Sequence, residues 1–171
     1  MRSDTRTKRI ALEAILFSLA LVLQSIENMI PTPFHLAPGI KLGLSNIVTM
    51  FVLSACGYRD ALILAVMKGI FAFITRGPVA GILSACGGVG SVSVMKLSER
   101  SDCSEGMVSV FGAVSHNIFQ LLMDCVLLKS TVALYYAPVL MISGVLMGII
   151  TAYILRLLDP VLKKFWNNLG E

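Results

Sequence analysis

From Ile10 to Leu158 the chain is a series of apolar runs broken only by short polar turns. In hydrocarbon no water is available to satisfy backbone N–H and C=O groups, so runs of this kind must close their hydrogen bonds internally, as helices. A spanning helix needs about 20 mainly apolar residues. The pattern predicts six of them. They are Ile10 to Ile30, stopped by Pro31 and Pro33; Ile40 to Gly57; Ala61 to Thr75, ended by Arg76-Gly77-Pro78; Val79 to Leu97; Met107 to Leu128; and Tyr135 to Leu158, with Pro138 in its first turn. Composition agrees: 56% of the 171 residues are hydrophobic and 14% are charged, against about 25% charged in an average soluble domain. The expected class is an all-α integral membrane protein of six transmembrane helices. It forms a single domain over residues 1–171, with tails at 1–9 and 159–171.

Lysine and arginine set the orientation, because they collect on the cytoplasmic side. The N-terminal Arg2, Arg6, Lys8 and Arg9 fall on one side with Arg59, Lys96, Arg100, Arg156, Lys163 and Lys164, whereas the other side receives Lys41, Arg76 and Lys129. Both termini are therefore expected inside, with Phe165 and Trp166 as an inner interfacial anchor. The apolar run after Arg9 is too long for a signal-peptide core and is expected to stay as an anchor. The net charge of +4 sits at helix ends without aromatic platforms, so it does not suggest nucleic acid as a partner. Cys56, Cys86, Cys103 and Cys125 stand singly, and neither they nor His35 and His116 have metal-ligand spacing. No metal or cofactor is expected. Gly87-Gly88-Val89-Gly90-Ser91 lacks the lysine of a P-loop, and neither HExxH nor GxSxG occurs, so no catalytic residues are assigned.

A charge at the centre of a spanning helix costs roughly 2.5–3.5 kcal/mol on insertion scales, so the polar residues at depth are informative. Lys68 falls near the middle of the third run, and Glu27 near the outer end of the first with Gln24 one turn below. In the fifth run His116, Gln120 and Asp124 are spaced by four and share a stripe, with Asn117 alongside. Ser45 and Asn46 enter the second run at the same outer level, behind the turn chemistry of Pro38-Gly39 and beside Lys41. These residues predict a small-molecule pocket under the segment Pro31 to Lys41. A structural network pairing Asp124 with Lys68 is the alternative. Small residues recur every fourth position at Gly77, Gly81 and Ala85, and at Gly144, Gly148 and Ala152, a pattern that lets helices approach closely. Ala14 and Ser18 form another such pair on the first helix.

Given Pro38-Gly39-Ile40-Lys41-Leu42-Gly43-Leu44-Ser45-Asn46-Ile47-Val48-Thr49, His116-Asn117 with Gln120, and Tyr135-Tyr136-Ala137-Pro138-Val139-Leu140, the chain resembles a bacterial membrane family. That family is catalogued both as "Gx transporter" and as "heptaprenyl diphosphate synthase component I". It is in turn similar to the S components of energy-coupling-factor (ECF) importers. Those are six-helix proteins of the bacterial cell membrane that capture a vitamin-like molecule at the outer face and dock on a T subunit bearing two ATPases. The resemblance implies an S-component-like bundle that is not itself an enzyme. It also implies a docking face at Ala14 and Ser18, while the pocket read from the polar residues at depth takes its substrate contacts from Glu27, Lys41, Ser45, Asn46, Lys68, His116, Asn117, Gln120 and Asp124. The family's second name implies instead a membrane component of a polyprenyl diphosphate synthase. Such a component would be non-catalytic here, since no pair of adjacent acidic residues is available to hold Mg²⁺ and diphosphate. A ligand-free membrane scaffold is a third reading.

Overall fold

The structure, a computed structural model, describes residues 2–29 and 43–170; Lys41, His35 and the Pro31 to Gly39 turn lie outside the described residues. Six helices follow one another: α1 (Arg2–Met29), α2 (Leu44–Ala55), α3 (Tyr58–Arg76), α4 (Pro78–Arg100), α5 (Glu105–Leu128) and α6 (Ala137–Gly170). A 3-10 turn, Val132–Tyr136, leads into α6. The punctuation that separates the helices is the one the sequence advertises. Gly57 and Gly77 stand at φ 106° and 93°, a region where a Cβ would be strained. Pro78 then opens α4 at a position where its missing N–H has no intrahelical partner to lose. Ser104 caps α5 by accepting from the Met107 N–H. The last helix continues past Leu158 through the expected tail, with Pro160 inside it; the side chains of Phe165 and Trp166 lie outside the described residues.

Four stretches are long and apolar enough to cross a membrane: Ile10–Met29, Pro78–Arg100, Glu105–Leu128 and Val132–Leu158. The two others fall short for different reasons. Helix α2 has 12 residues and so is about 18 Å long. Its start at Leu44 differs from the expected Ile40, because Gly43 takes a left-handed conformation at the N-cap. Helix α3 has 19 residues but carries Arg59, Asp60, Lys68 and Arg76. Helix α2 does not depend on contact with lipid for its apolarity to make sense. In α2, Ser45 and every residue from Ile47 to Leu53 are buried, within a core shared with Leu12, Leu16, Leu64, Val92 and Leu155.

The longer helices turn large apolar side chains outward. Ile15, Val22 and Ile26 on α1, Ile70 and Phe73 on α3, Leu122 and Val126 on α5, and Ile142, Leu146 and Ile149 on α6 are all exposed. An outer surface of this kind belongs in lipid rather than water.

Helix α3 packs along α4, α4 along α5, and α5 along α6, while α1 covers α2. Glycines make these seams close. A Cβ on Gly81 would stand 2.5 Å from Phe73 Cβ, and one on Gly69 2.7 Å from Ala85 Cβ. Between α5 and α6, a Cβ on Gly148 would stand 2.5 Å from Val110 Cα. Two stripes noted in the sequence, around Gly81 and Gly148, are therefore internal seams. They let backbones approach where lipid provides no hydrophobic drive between helices. Buried serines cross the same seams: Ser91 Oγ donates to Gly112 O at 2.7 Å and Ser109 Oγ to Gly148 O at 2.8 Å.

Candidate functional site

The site is built around the first turn of α2. Gly43 N–H donates to Glu27 Oε1 from the end of α1, so a carboxylate faces the positive end of the α2 dipole, where it is stabilising. From the other flank Lys68 reaches in. Its Nζ donates to Ser45 O at 3.3 Å, Asn46 Oδ1 at 3.3 Å and Thr49 Oγ1 at 3.1 Å. Glu27 and Lys68 are both buried. Through these three acceptors the cation in α3 ties that helix to the head of α2. Asp124, the alternative partner expected for Lys68, lines a different cavity, described below.

Helix α5 supplies the opposite wall. His116 and Gln120 lie against α4 at Gly87, where a Cβ would stand 2.6 Å from Gln120 Cγ and 3.0 Å from His116 Cε1. Glycine at that position is what lets the two polar side chains sit between the helices. Asn117 turns toward α6 and donates from Nδ2 to Leu140 O at 2.8 Å.

These walls enclose a cavity of about 40 Å³, lined by Glu27, Ser45, Asn46, Lys68, His116, Asn117 and Gln120 among others. Seven of the expected substrate contacts are thus brought together. Space of this size takes about two or three waters, or a ligand group of two or three heavy atoms. Lining residues not assigned to the site from the sequence include Gln24, Ser84, Met147 and Thr151. Gln24 is the most informative. It is 4% exposed, and its Oε1 is buried with no hydrogen-bond partner among the described residues. An acceptor left in that state costs free energy unless something donates to it. Its sequence signal was its place one turn below Glu27. Ser84 and Thr151 are buried hydroxyls beside the small-residue stripes, and spacing alone marks them as seam residues.

Asp124 lies elsewhere. It lines a second cavity of about 270 Å³ with Arg76, Leu83, Leu121, Val132, Tyr136 and Leu140, and this cavity shares Asn117 and Gln120 with the first. Ala14 and Ser18 are exposed on α1. Ser18 Oγ donates back to Ala14 O at 2.8 Å, so the hydroxyl is satisfied within its own helix. Ala14 also lines an apolar groove of about 280 Å³ with Phe17, Ile63, Leu64 and Met67. Among the described residues no group of three His, Cys, Asp or Glu is placed to hold a metal ion.

The family described as heptaprenyl diphosphate synthase component I matches residues 16–158, and the chain belongs to it. No curated protein matches the sequence. Among solved structures, the chain is similar to one described under "Structure and mechanism of the S component of a bacterial ECF transporter". The TM-score is 0.56 and the identity 19%, over 95% of this chain and 97% of that one. At that identity the likeness shows the fold: an ECF S-component-like, all-helical bundle.

Proposed function

We propose that this member of the heptaprenyl diphosphate synthase component I family is the substrate-binding membrane subunit of an ECF-type importer. It spans the bacterial plasma membrane six times with both termini inside and captures a small polar molecule at the outer face. ATP hydrolysis belongs to partner ATPases reached through a T subunit, and this chain is not an enzyme. The single observation that carries the reading is the cavity lined by polar side chains beside the head of α2. There Gln24 Oε1 is buried without a donor among the described residues, beside Asn46, His116 and Gln120. Polar surface inside a membrane bundle is expensive unless a function requires it, and a few convergent polar groups in a concave site are the usual mark of small-molecule binding.

The test is mass spectrometry of small molecules retained by the protein after purification from its native membrane in mild detergent. The reading expects a stoichiometric metabolite that leaves on heating and restores thermal stability when added back. Recovery of protein with no bound metabolite, together with co-purification of a prenyltransferase, would favour the synthase-component role. For coupling, Ala14 and Ser18 offer the face on α1 for the T subunit. Ala14→Leu should block assembly while leaving ligand affinity intact, because added bulk there separates the helices; normal assembly of that variant would remove the face from consideration.

A further inference from the structure

The two cavities share Asn117 and Gln120 as a common wall and differ in character. The inner one is small and polar, about 40 Å³. The outer one is about 270 Å³, walled largely by Leu83, Leu121, Tyr136 and Leu140, and carries one charge of each sign in Arg76 and Asp124. We infer that the site takes an amphiphilic ligand lying across both cavities, with a compact neutral head that donates hydrogen bonds in the inner cavity and an apolar body in the outer one. This rests on the ligand-binding reading above and specifies its substrate class.

Three features fix the head. Gln24 Oε1 is a buried acceptor with no donor among the described residues, which a head carrying N–H or O–H would satisfy. The head must be neutral, because the Lys68 ammonium is engaged with Ser45 O, Asn46 Oδ1 and Thr49 Oγ1 and the Glu27 carboxylate lines the same cavity; an anionic head would meet that carboxylate with the cation already committed. It must also be small, since a cavity of this size holds about two or three heavy atoms. A primary carboxamide satisfies all three conditions, with two donors and one acceptor. The body follows from the outer walls: aliphatic and aromatic surface rewards apolar contact in proportion to area removed from water. Asn117 and Gln120 stand at the joint. The Asn117 amide is already bonded to Leu140 O, whereas the Gln120 amide lines both cavities and can read a polar atom where head meets body.

The experiment uses the full chain in lipid nanodiscs and a series of straight-chain primary amides from acetamide to octanamide, with the matching carboxylates, read by the shift in thermal unfolding midpoint. Apparent affinity should rise about fourfold per added methylene until the outer cavity is filled. Each carboxylate should bind at least fivefold more weakly than its amide. Gln24→Met should weaken all the amides by about fivefold or more, the loss expected for one buried hydrogen bond. Ala133→Leu on the 3-10 turn and Ala80→Leu on α4 narrow the outer cavity from different sides. Each should shift the preferred chain length down by one or two methylenes and leave acetamide unaffected, and having two such variants guards against one that misfolds. An affinity that is flat along the series, or carboxylates that bind as well as amides, overturns the inference. If a metabolite is nevertheless retained from the native membrane, ligand capture stands and only its two-part form is wrong. If nothing is retained and no amide stabilises the protein, both fall together.

Discussion

Replacing Gly148 by alanine tests how tightly the bundle is closed beside the cavity. The new Cβ would stand 2.5 Å from Val110 Cα and 3.1 Å from Val110 N. Both are backbone atoms of α5, so no side-chain rotation relieves the contact and the helices must part. Overpacking of this kind costs about 1–3 kcal/mol. Parting also stretches the bond from Ser109 Oγ to Gly148 O, now 2.8 Å, and losing it removes a further 0.5–1.5 kcal/mol or so. Alanine returns about 0.5–1 kcal/mol through its better helix propensity. The balance is a destabilisation of roughly 0.5–4 kcal/mol, centred near 2. Gly106→Ala is the comparison, because nothing lies within 4 Å of the place its new methyl would take; it should be neutral or stabilising by up to about 1 kcal/mol. Equilibrium unfolding in mixed detergent micelles measures both. A Gly148→Ala protein as stable as the parent would refute close α5–α6 contact as the reason for glycine there.

Three further outcomes are expected. Lys68→Met leaves Asn46 Oδ1 and Thr49 Oγ1 without their cation and should destabilise the protein by about 3 kcal/mol or more in the same unfolding assay. Asn117→Leu breaks the bond to Leu140 O, but that carbonyl keeps Ser143 Oγ at 2.9 Å. Stability should therefore change by less than about 1 kcal/mol, while affinity for the retained metabolite, measured by calorimetry, falls by about 1 kcal/mol or more. In a cysteine-free background, Thr131→Cys should react with an impermeant maleimide applied from outside and Ser101→Cys should not; the reverse pattern would turn the site to the cytoplasm.

Periodicity and turn chemistry made the helices legible. Gly57, Gly77-Pro78 and Ser104 mark the breaks in the sequence much as they stand in the fold. Seven of the residues singled out in the sequence line one cavity, but their hydrogen bonds were not legible there. His116, Gln120 and Asp124 look like one stripe at intervals of four. Each interval of four nevertheless rotates the side chain by about 40° and advances it by about 6 Å. By Asp124 the direction has turned about 80° and moved about 12 Å from His116, which carries that carboxylate into the outer cavity with Arg76. Opposite charge suggested Asp124 as the partner of Lys68. The hydrogen bonds to α2 follow instead from how α3 is rotated against the head of that helix, which no spacing within α3 reveals. Gln24 showed the reverse limitation: a glutamine beside Glu27 reads as ordinary interfacial polarity until its burial is known.

The contact between Glu27 and the Gly43 N–H joins positions 16 apart in the chain. It ties the end of α1 to the N-cap of α2, so the carboxylate that meets the α2 dipole also sets the height at which these two helices stand against each other. Removing that one side chain would take away both at once, which makes Glu27 a joint of the bundle as well as a wall of the cavity.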